Sequence, residues 1–172
     1  VILNVGRLTP QKNQQLLLKA FQRLRERRKA KLIIIGQGDE EENLLALSEQ
    51  LGISSDFQII NWVDNPYSFM AHADVFALSS KWEGLGMVLV EALACMTPVV
   101  STDCPSGPEE VLEGGRYGEL VQAQNPDEFS KAIIRSIDNP PEGSALRNRA
   151  MNFGLKRCVA QYEKLLFEEV EL

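Results

Sequence analysis

One stretch of this sequence decides the fold: Ser79-Ser-Lys-Trp-Glu-Gly-Leu-Gly-Met-Val-Leu-Val-Glu-Ala-Leu-Ala-Cys-Met-Thr-Pro98. It follows an apolar run, 73–78, that predicts a buried strand. Its glycines predict a turn at residues 83–86. The apolar residues beyond the turn predict a helix that ends near Met96, because Pro98 cannot continue a helix. The rest of the chain repeats this succession of strand, turn and helix.

Two carboxylates in this stretch require a chemical explanation. Glu83 lies in the turn, and Glu91 lies among apolar helix residues, where an unpaired carboxylate is unfavourable. The free N–H groups at the helix start, Gly84 to Met87, favour an anion, and Glu91 lies about 9 Å further along the helix. Taken singly, Glu83 is a turn acid and Glu91 a carboxylate bonded to neighbouring backbone or Lys. Taken together, they indicate a ligand with a central diphosphate and hydroxyls at both ends.

Strands and helices alternate along the whole chain. The predicted strands are 1–5, 31–35, 57–63, 74–78, 98–101 and 119–121, and the predicted helices are 13–28, 39–51, 67–71, 87–96, 108–112, 125–137, 145–153 and 155–169. This alternation predicts one α/β, Rossmann-like domain over residues 1–172, with a mainly parallel sheet of about six strands flanked by helices on both faces. Ligands of such sheets bind at the carboxyl ends of the strands, and the candidate motifs of this chain lie there.

Composition excludes several classes of function. The net charge is −6, from 18 basic and 24 acidic residues, which is the opposite of a general nucleic-acid-binding surface. The single histidine and three cysteines without Cys-x-x-Cys spacing support neither a metal site nor a Ser-His-Asp triad, and they suggest a reduced, cytoplasmic setting. No apolar run approaches the ~20 residues of a membrane span, and no signal peptide is visible. Because the chain begins within a strand and without Met, we expect a fragment of a longer protein.

Arg7 and Lys12 flank the first strand-to-helix turn. Two cations at the mouth of a sheet suit a diphosphate, although each alone is ordinary surface charge. Their shared location with the 84–86 turn predicts a joint phosphate clamp. Gly36-Gln-Gly38 contains the first two glycines of a dinucleotide-binding fingerprint, but Glu41 stands where the third is required. We interpret that motif as a turn, with close ligand approach as a second role.

Aromatic residues near the strand ends have competing interpretations. Backbone groups at Trp62-Val63 are suited to a base edge, whereas the indole of Trp62 is most simply a core aromatic. Tyr67 and Phe69 are predicted to serve packing. Trp82 either lines the pocket or anchors the turn.

The motifs together resemble glycosyltransferase family four, in the carboxyl-terminal, donor-binding half of a fold-type-B enzyme. The resemblance covers nearly the whole chain and rests on Gly6-Arg7-Leu8…Lys12, Gly36-Gln-Gly38, Ala73-Asp74-Val75-Phe76…Ser79, Glu83-Gly-Leu-Gly…Glu91-Ala92 and Thr97-Pro98-Val99-Val100. Asn13 stands where Gly is frequent, and Leu85 where Phe is frequent; neither departure alters a charge. The stretch 103–111 resembles a version common in enzymes that use uridine diphosphate (UDP) sugars.

The resemblance implies a role for each candidate residue. Arg7 and Lys12 would hold the donor diphosphate and stabilise charge on the leaving nucleotide, and with Glu83 they are the expected catalytic residues. Glu83 would meet hydroxyls of the donor sugar, Glu91 the ribose hydroxyls, and the backbone of Val63 the base. The remaining donor-binding residues would be Gly6, Gly84, Leu85, Gly86 and Met87.

The resemblance also implies a retaining hexosyltransferase for polysaccharide biosynthesis that needs no metal and no cofactor, the nucleotide sugar being a substrate. The acceptor would be a saccharide or a lipid-linked molecule. The amino-terminal acceptor domain would be missing, so we expect the isolated chain to bind nucleotide and to transfer little. The final helix, 155–169, resembles the segment that crosses back to that domain. Peripheral association of the full-length enzyme with the cytoplasmic face of the membrane stays open.

Two alternatives also stay open. One is a non-catalytic module of the same fold that binds a nucleotide or sugar phosphate, against which the joint presence of Arg7, Lys12, Glu83 and Glu91 argues. The other is a nicotinamide-dependent oxidoreductase domain, against which the absent third glycine argues.

Overall fold

The computed structural model describes residues 1–122 and 125–167. Within these ranges the strands are β1 (Ile2–Val5), β2 (Leu32–Ile35), β3 (Phe57–Ile60), β4 (Val75–Leu78), β5 (Val99–Asp103) and β6 (Glu119–Gln122). They form one sheet in the order β3-β2-β1-β4-β5-β6, with every neighbouring pair parallel. The predicted α/β class and the predicted six-stranded parallel sheet are confirmed.

Helices follow most of the strands, as the alternation predicts. They are α1 (Gln14–Arg25), α2 (Glu41–Gln50), α3 (Pro66–His72), α4 (Met87–Ala94), α5 (Pro108–Leu112), α6 (Pro126–Asp138), α7 (Gly143–Met151) and α8 (Leu155–Phe167). The predicted residues 168 and 169 of the last helix lie outside the described residues. Most other bounds differ from prediction by only a few residues at the helix ends.

Two predicted boundaries are wrong for identifiable reasons. The third strand ends at Ile60 and does not continue to Val63, because β3 lies at the edge of the described sheet and its partner, β2, ends opposite it at Ile35. Helix α4 ends at Ala94 rather than Met96, because Met96 adopts a left-handed conformation with φ 62°. The Thr97 N–H then donates to the Ala92 carbonyl at 3.0 Å, which closes the helix end as a Schellman-type cap.

The core consists of two apolar layers, one on each face of the sheet. Successive strand residues point to opposite faces, so Ile2, Val75 and Ala77 pack on one side while Leu3 and Phe76 pack on the other. Helices α1, α2 and α6 cover the first face, and α3, α4, α5 and α7 cover the second. Strands buried on both faces explain the continuous apolar runs of the sequence.

The strand order creates a crevice between β1 and β4. From β1 the chain continues to β2 on one side, whereas β4 lies on the other side and continues to β5. The connections after β1 and β4 therefore diverge to opposite sides, and ligands of doubly wound sheets bind at such a point. None of the helices in the described ranges has the length and apolarity that crossing a bilayer requires.

Candidate active site

The loop after β1 and the turn after β4 are joined across the crevice. The Ser79 hydroxyl donates to the Lys12 carbonyl at 2.9 Å, and the Lys81 N–H donates to the Gln11 carbonyl at 2.8 Å. The Gln11 side-chain amide in turn donates to the Trp82 carbonyl at 2.9 Å. The two segments are thus fixed relative to each other. The backbone of Trp82 helps to anchor the turn, while its indole is exposed.

A cleft of about 480 Å³ lies between these two segments and contains most of the predicted site. The Lys12 ammonium lies 2.6 Å from Glu83 Oε1, and the Ser80 hydroxyl donates to the same oxygen at 2.5 Å. Arg7 is exposed at the rim of the cleft, and its guanidinium has no hydrogen-bond or ion-pair partner among the described residues. The cleft is lined by Val5, Gly6, Arg7, Gln11, Lys12, Glu83, Gly84, Leu85, Gly86, Met87 and Val88.

The start of α4 supplies backbone donors to this cleft. Gly86 precedes the helix with φ 77°, a conformation that glycine adopts without strain, and no side chain caps the helix. The Leu89 N–H donates to the Gly86 carbonyl at 2.8 Å, whereas the N–H groups of Gly84 to Met87 meet no acceptor within residues 1–122 and 125–167. Free N–H groups at a helix start form an anion-binding site.

The glycines after β2 shape the loop that carries Arg7. A Cβ on Gly36 would lie 1.9 Å from the Gly6 carbonyl oxygen, and one on Gly38 would lie 2.2 Å from the Leu8 carbonyl oxygen. The Leu8 N–H also donates to the Gln37 carbonyl at 2.9 Å. The predicted turn is therefore correct, and the close approach at both glycines is made by the neighbouring loop of the same chain.

A second cleft of about 630 Å³ adjoins the first and shares Val5, Gly6 and Arg7 with it. Val63 lines this cleft together with two aromatic residues that are open to solvent: Trp62 is 75% exposed and Tyr67 is 50% exposed. The interpretation of Trp62 as a core aromatic and of Tyr67 as a packing residue is wrong. Trp62 lies beyond the end of the edge strand β3, Tyr67 lies in the first turn of α3, and both side chains are open to solvent.

Glu91 lies apart from both clefts. Its carboxyl is half-buried on α4, burial raises its pKa, and it has no hydrogen-bond or ion-pair partner among the described residues. Burial, and then the charge of Glu91, raise the pKa of the Cys95 thiol, which lies 3.7 Å from the Tyr67 carbonyl. The alternative that Glu91 bonds to neighbouring backbone or Lys is not observed.

Sequence reasoning missed two residues that organise the site, Gln11 and Ser80. Gln11 ties the two loops together, and Ser80 holds Glu83. The available signal for Ser80 was a hydroxyl residue three positions before a turn carboxylate. In the part of the chain that the structure describes, no group of three or more His, Cys, Asp or Glu side chains is arranged to hold a metal ion.

The sheet order and the crevice between β1 and β4 define a doubly wound α/β class of domain, which binds ligands at the carboxyl ends of its strands. Residues 1–153 match the family described as "Glycosyl transferases group 1", and the chain belongs to that family. The resemblance found in the sequence motifs is thereby confirmed.

Known relatives are glycosyltransferases about twice as long as this chain. It is 36% identical over 149 residues to the N-acetylgalactosamine-N,N'-diacetylbacillosaminyl-diphospho-undecaprenol 4-alpha-N-acetylgalactosaminyltransferase of Campylobacter jejuni, covering 87% of this chain and 40% of that protein. It is 32% identical over 164 residues to the lipopolysaccharide core biosynthesis glycosyltransferase LpsE of Rhizobium meliloti, covering 95% of this chain and 46% of that protein. The solved structure of the lipopolysaccharide outer core galactosyltransferase WaaB superposes with a TM-score of 0.86 at 26% identity, covering 98% of this chain and 49% of that one. The chain thus spans less than half the length of these relatives.

Proposed function

We propose that this chain is the donor-binding domain of a retaining, metal-independent hexosyltransferase, and that its donor is a UDP sugar. The observation that carries the proposal is the cleft between β1 and β4. Two cations, Arg7 and Lys12, converge there with the free N–H groups at the start of α4 and with the carboxylate of Glu83. A diphosphate-linked sugar matches this combination of groups.

The cleft is suited to the chemistry of sugar transfer. Breaking the bond between sugar and phosphate develops negative charge on the leaving diphosphate. Fixed cations and helix N–H groups stabilise that charge, and they do so best when they are already in place before the reaction. Arg7, Lys12 and the N–H groups of 84–87 supply this stabilisation, while Glu83 contacts hydroxyls of the donor sugar.

The adjoining cleft suits the nucleoside. Its exposed aromatic residues, Trp62 and Tyr67, offer faces against which a base can stack, and the backbone of Val63 offers polar groups to the edge of the base. Glu91, whose carboxylate has no partner among the described residues, accepts hydrogen bonds from the ribose hydroxyls. The choice of uridine rests on the resemblance of the stretch 103–111 to enzymes that use UDP sugars.

The acceptor is a saccharide or a lipid-linked molecule, as the names of the relatives suggest, and an amino-terminal domain binds it. Helix α8 supports a partner of this kind because none of its described side chains is buried, and it carries exposed apolar residues: Leu155, Val159, Tyr162, Leu165, Leu166 and Phe167. The isolated chain therefore binds nucleotide and transfers little or nothing. Transfer at the rate of a complete enzyme by the isolated chain would contradict this division of labour.

Calorimetric titration with UDP tests the proposed clamp. We expect Lys12→Ala and Arg7→Ala each to weaken UDP binding about 10- to 100-fold, because each removes a charge-assisted contact to phosphate. Arg27→Ala is the matched control, since Arg27 is an exposed cation outside both clefts. Equal losses in all three variants would show a general charge effect and would refute the clamp.

A further inference from the structure

Glu83 is held from one side only. The Ser80 hydroxyl and the Lys12 ammonium both bond to Oε1, at 2.5 Å and 2.6 Å. The other oxygen, Oε2, accepts no hydrogen bond from the described residues and is not sealed from solvent, although the side chain as a whole is only 7% exposed. The two oxygens of this carboxylate are therefore not equivalent.

From this asymmetry we infer that Ser80 is a positioning residue, which orients Glu83 so that Oε2 is the oxygen presented to the hydroxyls of the donor sugar. The inference rests on the proposed function, because it assumes that a donor sugar occupies the cleft. It assigns Ser80 a role through Glu83 and no contact with the donor itself.

Ser80 is itself attached to the sheet. It is fully buried, it lies two residues beyond β4, and its carbonyl accepts a hydrogen bond from the Thr102 hydroxyl at 2.6 Å. Thr102 is also fully buried and belongs to β5. The Glu83 N–H donates to the Pro105 carbonyl at 3.3 Å. A carboxylate in a turn is thus held by two adjacent strands, which fixes its direction before any ligand arrives.

Hydrogen-bonding capacity explains why Oε2 is the oxygen that remains for a sugar. An ionised carboxylate only accepts hydrogen bonds, and Oε1 already accepts from one hydroxyl and one ammonium. Oε2 keeps its full capacity for hydroxyl donors. Lys12 has three N–H donors, and the bond to Glu83 leaves the others for phosphate oxygens. Lys12 therefore links the diphosphate site to the sugar site.

Loss of the Ser80 hydroxyl should separate sugar binding from nucleotide binding. Without the Ser80 hydroxyl, Oε1 keeps only Lys12 as partner, and the carboxylate is free to turn away from the sugar. The extra affinity that the sugar confers should fall. The affinity for UDP alone should persist, because Arg7, Lys12 and the helix N–H groups are unaltered. A purely structural role of Ser80 would lower both affinities together.

The test compares Ser80→Ala and Ser80→Cys with Ser101→Ala. Cysteine is close in size to serine but a weak donor, so it guards against a cavity effect. Ser101 is equally buried and donates its hydroxyl to the Thr102 carbonyl at 2.9 Å, away from Glu83. Calorimetry of each folded variant would use UDP and whichever of UDP-glucose, UDP-galactose, UDP-N-acetylglucosamine and UDP-N-acetylgalactosamine binds the unaltered chain most tightly.

We expect both Ser80 variants to lose about tenfold in affinity for the UDP sugar while UDP affinity stays within about twofold. Ser101→Ala should leave the ratio of the two affinities unchanged. Equal losses for UDP and UDP sugar in the Ser80 variants, or an unchanged ratio, would overturn the positioning role while leaving the proposed function intact. Failure of the unaltered chain to bind either compound would instead overturn the proposed function and this inference with it.

Discussion

Two glutamates, one in the turn after β4 and one in the following helix α4, lie in different surroundings. Glu83 is paired with Lys12 and Ser80 inside the cleft, whereas Glu91 is half-buried, lies outside both clefts and has no partner in the described part of the chain. An unpaired, half-buried carboxylate is unfavourable unless a ligand supplies its partner. Substitution of the two residues should therefore affect ligand binding in different ways.

Glu91→Ala should weaken binding of UDP itself by about tenfold, because the ribose hydroxyls lose a charged acceptor. Glu83→Ala should chiefly reduce the extra affinity for a UDP sugar. Titration of both variants with UDP and with a UDP sugar distinguishes the two effects. Equal loss of UDP affinity in the two variants would refute this division of roles.

Burial raises the pKa of Glu91 above its ordinary value near 4.5. The folded chain therefore holds this proton more tightly than the unfolded chain, and ionisation of Glu91 lowers the stability of the fold as pH rises through the raised pKa. We expect Glu91→Gln to raise Tm at pH 7 by roughly 1–3 °C. The gain should vanish below about pH 4.5. A pH-independent difference in Tm between the variant and the unaltered chain would contradict the assigned cause.

The sequence predicted the location of three charged residues in the cleft better than the exposure of the aromatic ones. Arg7, Lys12 and Glu83 were predictable because each follows a strand, and carboxyl ends of parallel strands meet at one edge of the sheet. The exposure of Trp62 was not predictable, because it depends on the residue at which the edge strand β3 loses its pairing with β2. Ser80 was missed because its role depends on a side-chain geometry that spacing alone does not specify.

At the scale of elements, two backbone segments must lie in close contact for the site to form. The loop after β1 rests on the glycines after β2, with the site of a Gly36 Cβ only 1.9 Å from the Gly6 carbonyl oxygen. The loop also shares hydrogen bonds with the turn after β4. The position of Arg7 and Lys12 thus depends on the uncharged glycine turn after β2.

Gly36→Ala should lower the free energy of unfolding by roughly 3 kcal/mol, because the methyl group meets backbone that cannot rotate away. It should also weaken UDP binding by displacing the loop that carries Arg7. Gly52→Ala is a matched control: its φ is +66° but no atom lies within 4 Å of the added Cβ, so the cost should be about 1 kcal/mol, with UDP binding unchanged. Chemical denaturation and calorimetry measure both quantities. If the two variants were equally stable and bound UDP equally, the close contact would have no energetic role.

For the whole molecule, the architecture was largely readable from the order of its elements. Continuous apolar runs such as Leu32–Ile35, alternating with helices, predict a parallel sheet because only a sheet covered on both faces buries such strands. The helix bounds were less exact, since features such as the left-handed Met96 close a helix without a glycine. The clefts could not be outlined from the sequence, because they depend on how far the connections after β1, β3 and β4 stand apart.

The most direct test of the whole account is calorimetric titration of this chain with the diphosphates of uridine, guanosine and adenosine, in the presence of a metal chelator. We predict clear binding of UDP, because the cations and the α4 N–H groups hold its diphosphate without a metal. We also predict that UDP binds at least tenfold tighter than the other two nucleotides, because the stretch 103–111 resembles enzymes that use UDP sugars. Binding to none of the three, or binding that requires a divalent cation, would contradict it.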